Sequence, residues 1–479
     1  MSPVAVAIPH SDGEGPSGHI LEDVSGGLVT CERLSCALKR SVSRVEVVEG
    51  TERRWPQSHS AKLRIHVDES GGEESDVGGS SDASPRPGVV DLFLKKVVAR
   101  CLPPMPLHAL RRDLCSNRVE ARFYREFAPI LAERGVRLLQ AALVDERLAV
   151  LDDSEAVVEG VERGGEDEER RLRTGGVMLL LECAQDNYIQ SSPLDVDQLR
   201  CTLRMLAQLH GGAWQDEKLL RAAAERLNPE AGYWTLQQRG VEEMEQMEQN
   251  WSDYIAAFRH EAPDLFGRPE IVSLATRLRR VAPWVSEQVR AGPASANATL
   301  VHGDFKAMNV FLPREGVDTG TALPIDFQWL GPGLGMSDVA MHLSHSGATG
   351  ALRDGGEARL VEYYYTNLCQ RLGPEAASKY PIELAQRHYQ LGVLDWARMV
   401  FSVFFKGASV STFAARASNP NVGFVYRDVE ASIEFVRRVD RCLAPFERQL
   451  AMAAGISAND SRTSPTELAR SRSRSRGSR

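Results

Sequence analysis

The chain of 479 residues is 43% hydrophobic and 25% charged, an ordinary globular composition long enough for two lobes around a sizeable core. Its formal net charge of −8 gives no support to a nucleic-acid-binding body. Its eight cysteines include no C-x-x-C pair, so neither a zinc site nor a disulfide framework is expected, and a reducing compartment is.

Residues 1–19 contain Pro3, Pro9 and Pro16 and lack a basic segment before an apolar core. They read as a disordered lead, not an export signal. No apolar run reaches the roughly eighteen residues of a membrane span, and a cytoplasmic protein is expected. Alternating apolar residues predict strands over Ser41 to Glu49 and Lys62 to Val67. Residues 68–88, rich in Gly, Ser, Asp and Glu, read as a flexible insert. Val89 to Val97 is a strong strand ending near Lys95 and Lys96, which the strand period places on opposite faces. Asp113 to Glu133 is predicted as a helix burying Val119, Phe123, Phe127 and Ile130. Val136 to Leu151 reads as two strands around a turn at Asp145 and Glu146, and 152–175 as a solvated charged loop. Val177 to Ala184 is a buried strand running into a polar connector.

From Leu194 the pattern turns helical: Val196 to Trp214, Ile271 to Val289, Glu357 to Leu372, Ile382 to Phe405 and Arg427 to Leu450. The Met and aromatic residues between Tyr233 and Phe258 are core or line a pocket, which periodicity does not separate. Residues 457–479 form a Ser/Arg tail, disordered by composition.

The informative stretch lies between the helices. Residues 300–312 read Leu-Val-His-Gly-Asp-Phe-Lys-Ala-Met-Asn-Val-Phe-Leu, and 323–329 read Leu-Pro-Ile-Asp-Phe-Gln-Trp. Short apolar runs here deliver polar residues to a cleft. Phosphoryl transfer asks a protein for positioning and charge neutralisation. One carboxylate must take the acceptor proton, a role that fits Asp304. Oxygen ligands must hold magnesium, a role that fits Asn309 and Asp326. The His-x-Asp-(x)4-Asn spacing followed by an apolar strand ending in Asp-Phe is the signal of kinase-like folds.

His302-Gly303-Asp304, Asn309 and Asp326-Phe327-Gln328 resemble the choline-kinase-like and ecdysteroid-kinase-like branch of the aminoglycoside phosphotransferase superfamily. The resemblance implies an α+β, two-lobed protein-kinase-like fold. Its N-lobe (20–183) is a small antiparallel sheet with one helix, and its C-lobe (184–456) is larger and mainly helical. It implies ATP and Mg2+ as cofactors and a small-molecule alcohol as acceptor, choline-, aminoglycoside- or sterol-like. Lys95 would hold the phosphates, with Lys96 as alternate, and Glu120 in Arg-Phe-Tyr context would hold the lysine. The backbone at Glu182 and Ala184 would bind adenine at the hinge. Lys306 would touch the transferring phosphate or be solvated, and Asp338 would brace the catalytic loop. No G-x-G-x-x-G occurs. Ser25-Gly26-Gly27 reads as a plain turn, Arg33 to Lys39 is the other candidate, and the phosphate-covering turn stays unplaced. Two other readings remain: a non-catalytic kinase-like nucleotide-binding protein, and a protein kinase. Gly303, Gln328 and the lack of a downstream Ala-Pro-Glu element weigh against the second.

Overall fold

The computed structural model describes residues 21–54, 58–68, 88–151, 165–184, 187–316 and 321–453. The expected lead, residues 69–87 of the insert, residues 152–164 of the charged loop and the tail lie outside the described residues.

Six strands build the N-terminal sheet: β1 (Val42–Val47), β2 (Arg53–Arg54), β3 (His59–Val67), β4 (Val89–Val98), β5 (Ala141–Arg147) and β6 (Gly176–Glu182). Their spatial order is β1-β3-β4-β6-β5, with β2 beside β3, and every pair is antiparallel. Alternation along β4 divides the sheet into two faces. Leu92 and Leu94 join Leu63, Ile65, Met178 and Leu180 in an outer cluster sealed by Val24, Val29 and Leu34. Each such side chain fully buried contributes about 1.5–3 kcal/mol. Phe93 and Lys95, on the other face of β4, line the cleft toward the C-lobe.

The helix expected from Asp113 begins at Leu107, runs to Arg122, widens into a π turn over Phe123–Phe127 and ends at Glu133. Among its first residues only Leu110 is buried, which left the early turns without an apolar signal. Two expectations fail nearby. The turn at Asp145 and Glu146 does not form, because both lie within β5. There Arg33 donates to Asp145 at 2.6 Å and Arg125 to Glu146 at 2.5 Å. The charged loop is partly helical, over Gly165–Leu172. Ion pairs Arg170–Asp167 and Arg173–Glu169 support it, and Leu172 anchors it in the core.

The C-lobe is a helical body. Its helix Val196–Gly212 starts with a reciprocal capping box between Asp195 and Gln198. The helix expected over Ile271 to Val289 is interrupted at Ser273, giving Pro269–Val272 and Leu274–Val289. The helix Ile382–Met399 passes into a π turn over Val400–Phe404. Short strands β7 (Tyr188–Ile189), β8 (Ala298–Val301), β9 (Val310–Pro313), β10 (Leu323–Pro324) and β11 (Gly331–Leu334) form two small sheets, β10-β9-β7 and β11-β8. These ladders hold the polar loops at the lobe boundary. The architecture is α+β, an antiparallel sheet lobe joined to a larger, mainly helical lobe. Among the described residues no helix is long and apolar enough to cross a membrane, and no disulfide joins the cysteines.

Candidate active site

The loop between β8 and β9 carries Asp304, Lys306 and Asn309. Leu300 and Val310, both fully buried, pin its two ends. Gly303 sits at φ +77°, and a Cβ there would lie 2.3 Å from the Trp329 carbonyl oxygen and 2.5 Å from the Gly232 nitrogen. That crowding explains glycine between the histidine and aspartate: no side chain fits.

Asp338, at the start of the helix Gly335–Ser346, braces this loop. Its carboxylate accepts from the backbone N–H of His302 at 2.7 Å and of Gly303 at 3.0 Å. It also meets the ring of His210 at 3.2 Å, whose other nitrogen contacts the Tyr364 hydroxyl at 2.7 Å. Burial raises the Asp338 pKa, but His210 and the loop amides more than offset it, and the carboxylate stays below its ordinary value. The His302 ring accepts the Asp304 N–H at Nδ1 and donates from Nε2 to the Ile325 carbonyl. The two polar loops are thereby joined.

Within the loop, Lys306 Nζ donates to Asp304 Oδ2 at 2.7 Å, and Asn309 Nδ2 donates to the same oxygen at 3.0 Å. The other carboxylate oxygen, Oδ1, is buried and has no hydrogen-bond partner among the described residues. Burial raises the pKa of Asp304 above its ordinary value, against the opposing charge of Lys306. One oxygen is tethered and the other is buried without a hydrogen-bond partner among the described residues, in a carboxylate made more basic by its surroundings.

Asp326 follows β10 at φ +66°, a left-handed conformation that aspartate tolerates better than most residues. Lys95, reaching down from β4, donates to Glu120 Oε2 at 2.7 Å and to Asp326 Oδ1 at 3.1 Å. Burial disfavours both charges, but each stabilises the other, so the Lys95 pKa is raised and the Asp326 pKa lowered. Lys96 points the other way and donates to the Glu22 carbonyl. The structure thus brings Lys95, Glu120 and Asp326 into contact, with Asp304, Lys306 and Asn309 on the adjoining loop.

Lys95, Glu120, Asn309 and Asp326 line a cleft of about 680 Å³, together with Glu182 and Ala184 among others. At the hinge the Glu182 N–H is already given to the Gln140 carbonyl at 2.8 Å, and its side chain forks onto Arg137. The Glu182 N–H is therefore spent within the sheet. The β1–β3 connection, at Gly50, Thr51, Arg53 and Ser58, forms the cleft's upper rim. Neither Ser25–Gly27 nor Arg33–Lys39 lines it.

Two further groupings depend on contacts between residues distant in sequence. Gln328 donates to Asn117 Oδ1 at 3.1 Å and accepts from Ser116 at 3.4 Å, tying the Asp326 loop to the helix that carries Glu120. Asn117, three residues before Glu120, shares its helical face, a signal the sequence did contain. Tyr233 contacts Trp329 and Trp396 with ring centroids 6.1 Å apart in each case. Trp396 and Tyr426 both contact His345, and the Asp304 charge acts on Tyr233 and Tyr426. Aromatic residues scattered in sequence thus meet one another, with Tyr233 and Tyr426 within reach of the Asp304 charge.

Residues 170–374 match the ecdysteroid kinase-like family. No curated protein sequence matches the chain significantly. Among solved structures the chain is similar to choline kinase LicA from Streptococcus pneumoniae, at 11% identity and TM-score 0.34, covering 86% of this chain and 97% of that one. It is similar to an aminoglycoside phosphotransferase from Alicyclobacillus acidocaldarius, at 13% identity and TM-score 0.37, covering 85% and 93%. A microcompartment-associated aminopropanol kinase gives 12% identity and TM-score 0.37, covering 88% and 97%. The resemblance to the ecdysteroid kinase-like branch of the kinase-like superfamily, carried in the sequence by His302, Asp304, Asn309 and Asp326, is matched independently over residues 170–374.

Proposed function

We propose that the protein transfers the γ-phosphate of ATP, with Mg2+, to a hydroxyl group of a small molecule in the cytoplasm. One observation carries the reading: a single ammonium group, Lys95, spans Glu120 of the N-lobe and Asp326 of the C-lobe at the mouth of a cleft of nucleotide size.

The residues fit a magnesium ion brought in on the phosphates. Asp326 is held ionised by Lys95 and Lys306. Asn309 spends its amide nitrogen on Asp304, which leaves its carbonyl oxygen as the ligand atom. Among the described residues no three His, Cys, Asp or Glu side chains are grouped to hold a metal. Two protein oxygens with phosphate and water completing the shell is the usual arrangement for this cation. When bound, the ion would neutralise the charge that develops on the phosphates.

Lys95 would hold the α- and β-phosphates, and Glu120 would keep it aimed. The acceptor hydroxyl would donate its proton to Asp304 Oδ1 as it attacks the γ-phosphorus in line, the bond to the β,γ-bridging oxygen breaking and ADP leaving. Lys306, 2.7 Å from Asp304 Oδ2, would fix the carboxylate and meet the transferring group. Tyr233 and Trp329, backed by the fully buried Trp396, would flank the acceptor. A positioned base contributes about a hundredfold to ten-thousandfold. Asp304→Asn should therefore keep Mg-ATP affinity, measured by calorimetry, and lose turnover against a panel of alcohol acceptors scored by mass for phosphorylated product. Wild-type turnover in that variant would discard the assignment.

A further inference from the structure

Kinase-like clefts usually cradle the terminal phosphates with the amides of a glycine-rich turn. Here the rim offers one glycine, Gly50, at φ +74° with nothing within 4 Å of its absent Cβ. Something else must meet the phosphate charge at this end of the cleft.

The sheet register identifies it. Arg53 of β2 lies opposite Ser60 of β3, and Ser60 lies opposite Lys95 of β4. Cross-strand partners share a face. Lys95 faces the cleft, so Ser60 and Arg53 face it too, and all three line it. The next row, Arg54, His59 and Lys96, takes the opposite face. There burial, together with the charges of Arg54 and Lys96, depresses the His59 pKa despite its bond to Glu52. Strands spaced about 4.8 Å apart put the Arg53 backbone roughly 10 Å from that of Lys95, about the span of a triphosphate chain.

Arg53 is equipped for this position. Its guanidinium donates to the Gly50 and Glu52 carbonyls, each at 2.8 Å. Among the described residues no carboxylate pairs with it. Both contacts go to exposed backbone of its own turn, and a dianionic phosphoryl group is a stronger partner for the five-donor fork than two peptide carbonyls.

We propose that Arg53 binds the terminal phosphoryl group of ATP, supplying from a side chain the contacts that a glycine-rich turn would supply from its backbone. The inference rests on reading the cleft as a nucleotide site. It makes the rim selective for the triphosphate, since ADP has no group at that end.

The test is calorimetric titration of Mg-ATP and of Mg-ADP into the full chain, as wild type, Arg53→Ala, Arg53→Lys and Arg54→Ala. Arg53→Ala should weaken Mg-ATP by about tenfold or more, the range for a charged hydrogen bond, and leave Mg-ADP unchanged. Arg53→Lys should recover only part of the loss, because an ammonium cannot fork. Arg54→Ala, one residue away on the opposite face, should match wild type. Equal affinities of Arg53→Ala and wild type for Mg-ATP would overturn the proposal. So would an equal loss for both nucleotides, which would mean that the hairpin had been disturbed. A wild type that binds neither nucleotide would instead overturn the nucleotide-site reading itself.

Discussion

Replacing Gly303 by alanine adds one methyl group at the most crowded backbone position of the site. The residue holds φ +77°, which costs an L-residue about 1–2 kcal/mol. The new carbon would sit 2.3 Å from the Trp329 carbonyl oxygen and 2.5 Å from the Gly232 nitrogen. Those two atoms are hydrogen-bonded to each other at 3.1 Å, so neither can retreat without parting the two segments behind the loop. Overpacking of this kind costs about 1–3 kcal/mol. The expected loss is thus about 2–5 kcal/mol, a large share of the roughly 5–15 kcal/mol that holds a typical protein folded. Because Gly303 also donates to Asp338, the shift should displace Asp304 and lower turnover. Urea denaturation of the variant beside wild type measures the first effect, and steady-state kinetics the second. An alanine variant with wild-type midpoint and wild-type turnover would refute the steric account.

Three further outcomes are expected. Burial raises the Asp304 pKa while Lys306 lowers it, so Lys306→Met should move the acid limb of the pH–rate profile to higher pH; an unmoved limb would remove Asp304 as its source. His342 is held by burial at about 4, against about 6.5 unfolded. Between those values only the unfolded chain takes up the proton, so stability is lost as pH falls, by up to about 1.4 kcal/mol per pH unit. His342→Gln should flatten part of that slope between pH 7 and 5 in denaturant titrations, and parallel slopes would count against it. Gln328→Leu removes the ties to Asn117 and Ser116 and should raise the KM for ATP several-fold with the melting temperature little changed. An unaltered KM would deny the Asp326 loop any dependence on that helix.

The parts of the site that sequence exposed are those whose chemistry fixes residue type at short spacing. Asp304, Lys306, Asn309 and Asp326 fall within one stretch, and the fold brings them together with Lys95 and Glu120. What stayed hidden depends on pairing across the chain. Lys95 and Lys96 are equivalent by composition, and only the register that sets Ser60 opposite Lys95 separates them. The cleft's rim carries no glycine-rich signature: Gly50, Thr51, Arg53 and Ser58 line it, whereas Ser25–Gly27 and Arg33–Lys39 do not. Asp145 and Glu146 looked like a turn because their partners, Arg33 and Arg125, are remote in sequence. The aromatic cluster assembles from positions 233, 329, 396 and 426, which no local pattern connects.

The bridge made by Lys95 also bears on the order in which ligands arrive. Its ammonium lies 3.1 Å from the Asp326 oxygen, already neutralising the carboxylate that a free divalent ion would seek. A bare cation thus meets an occupied partner and should associate feebly. On the nucleotide-site reading proposed above, an incoming polyphosphate would give the lysine another anion to follow and would free the aspartate for the ion. The protein would in that way distinguish the loaded nucleotide from either component alone, and idle exposure to divalent salts would leave the two lobes clasped.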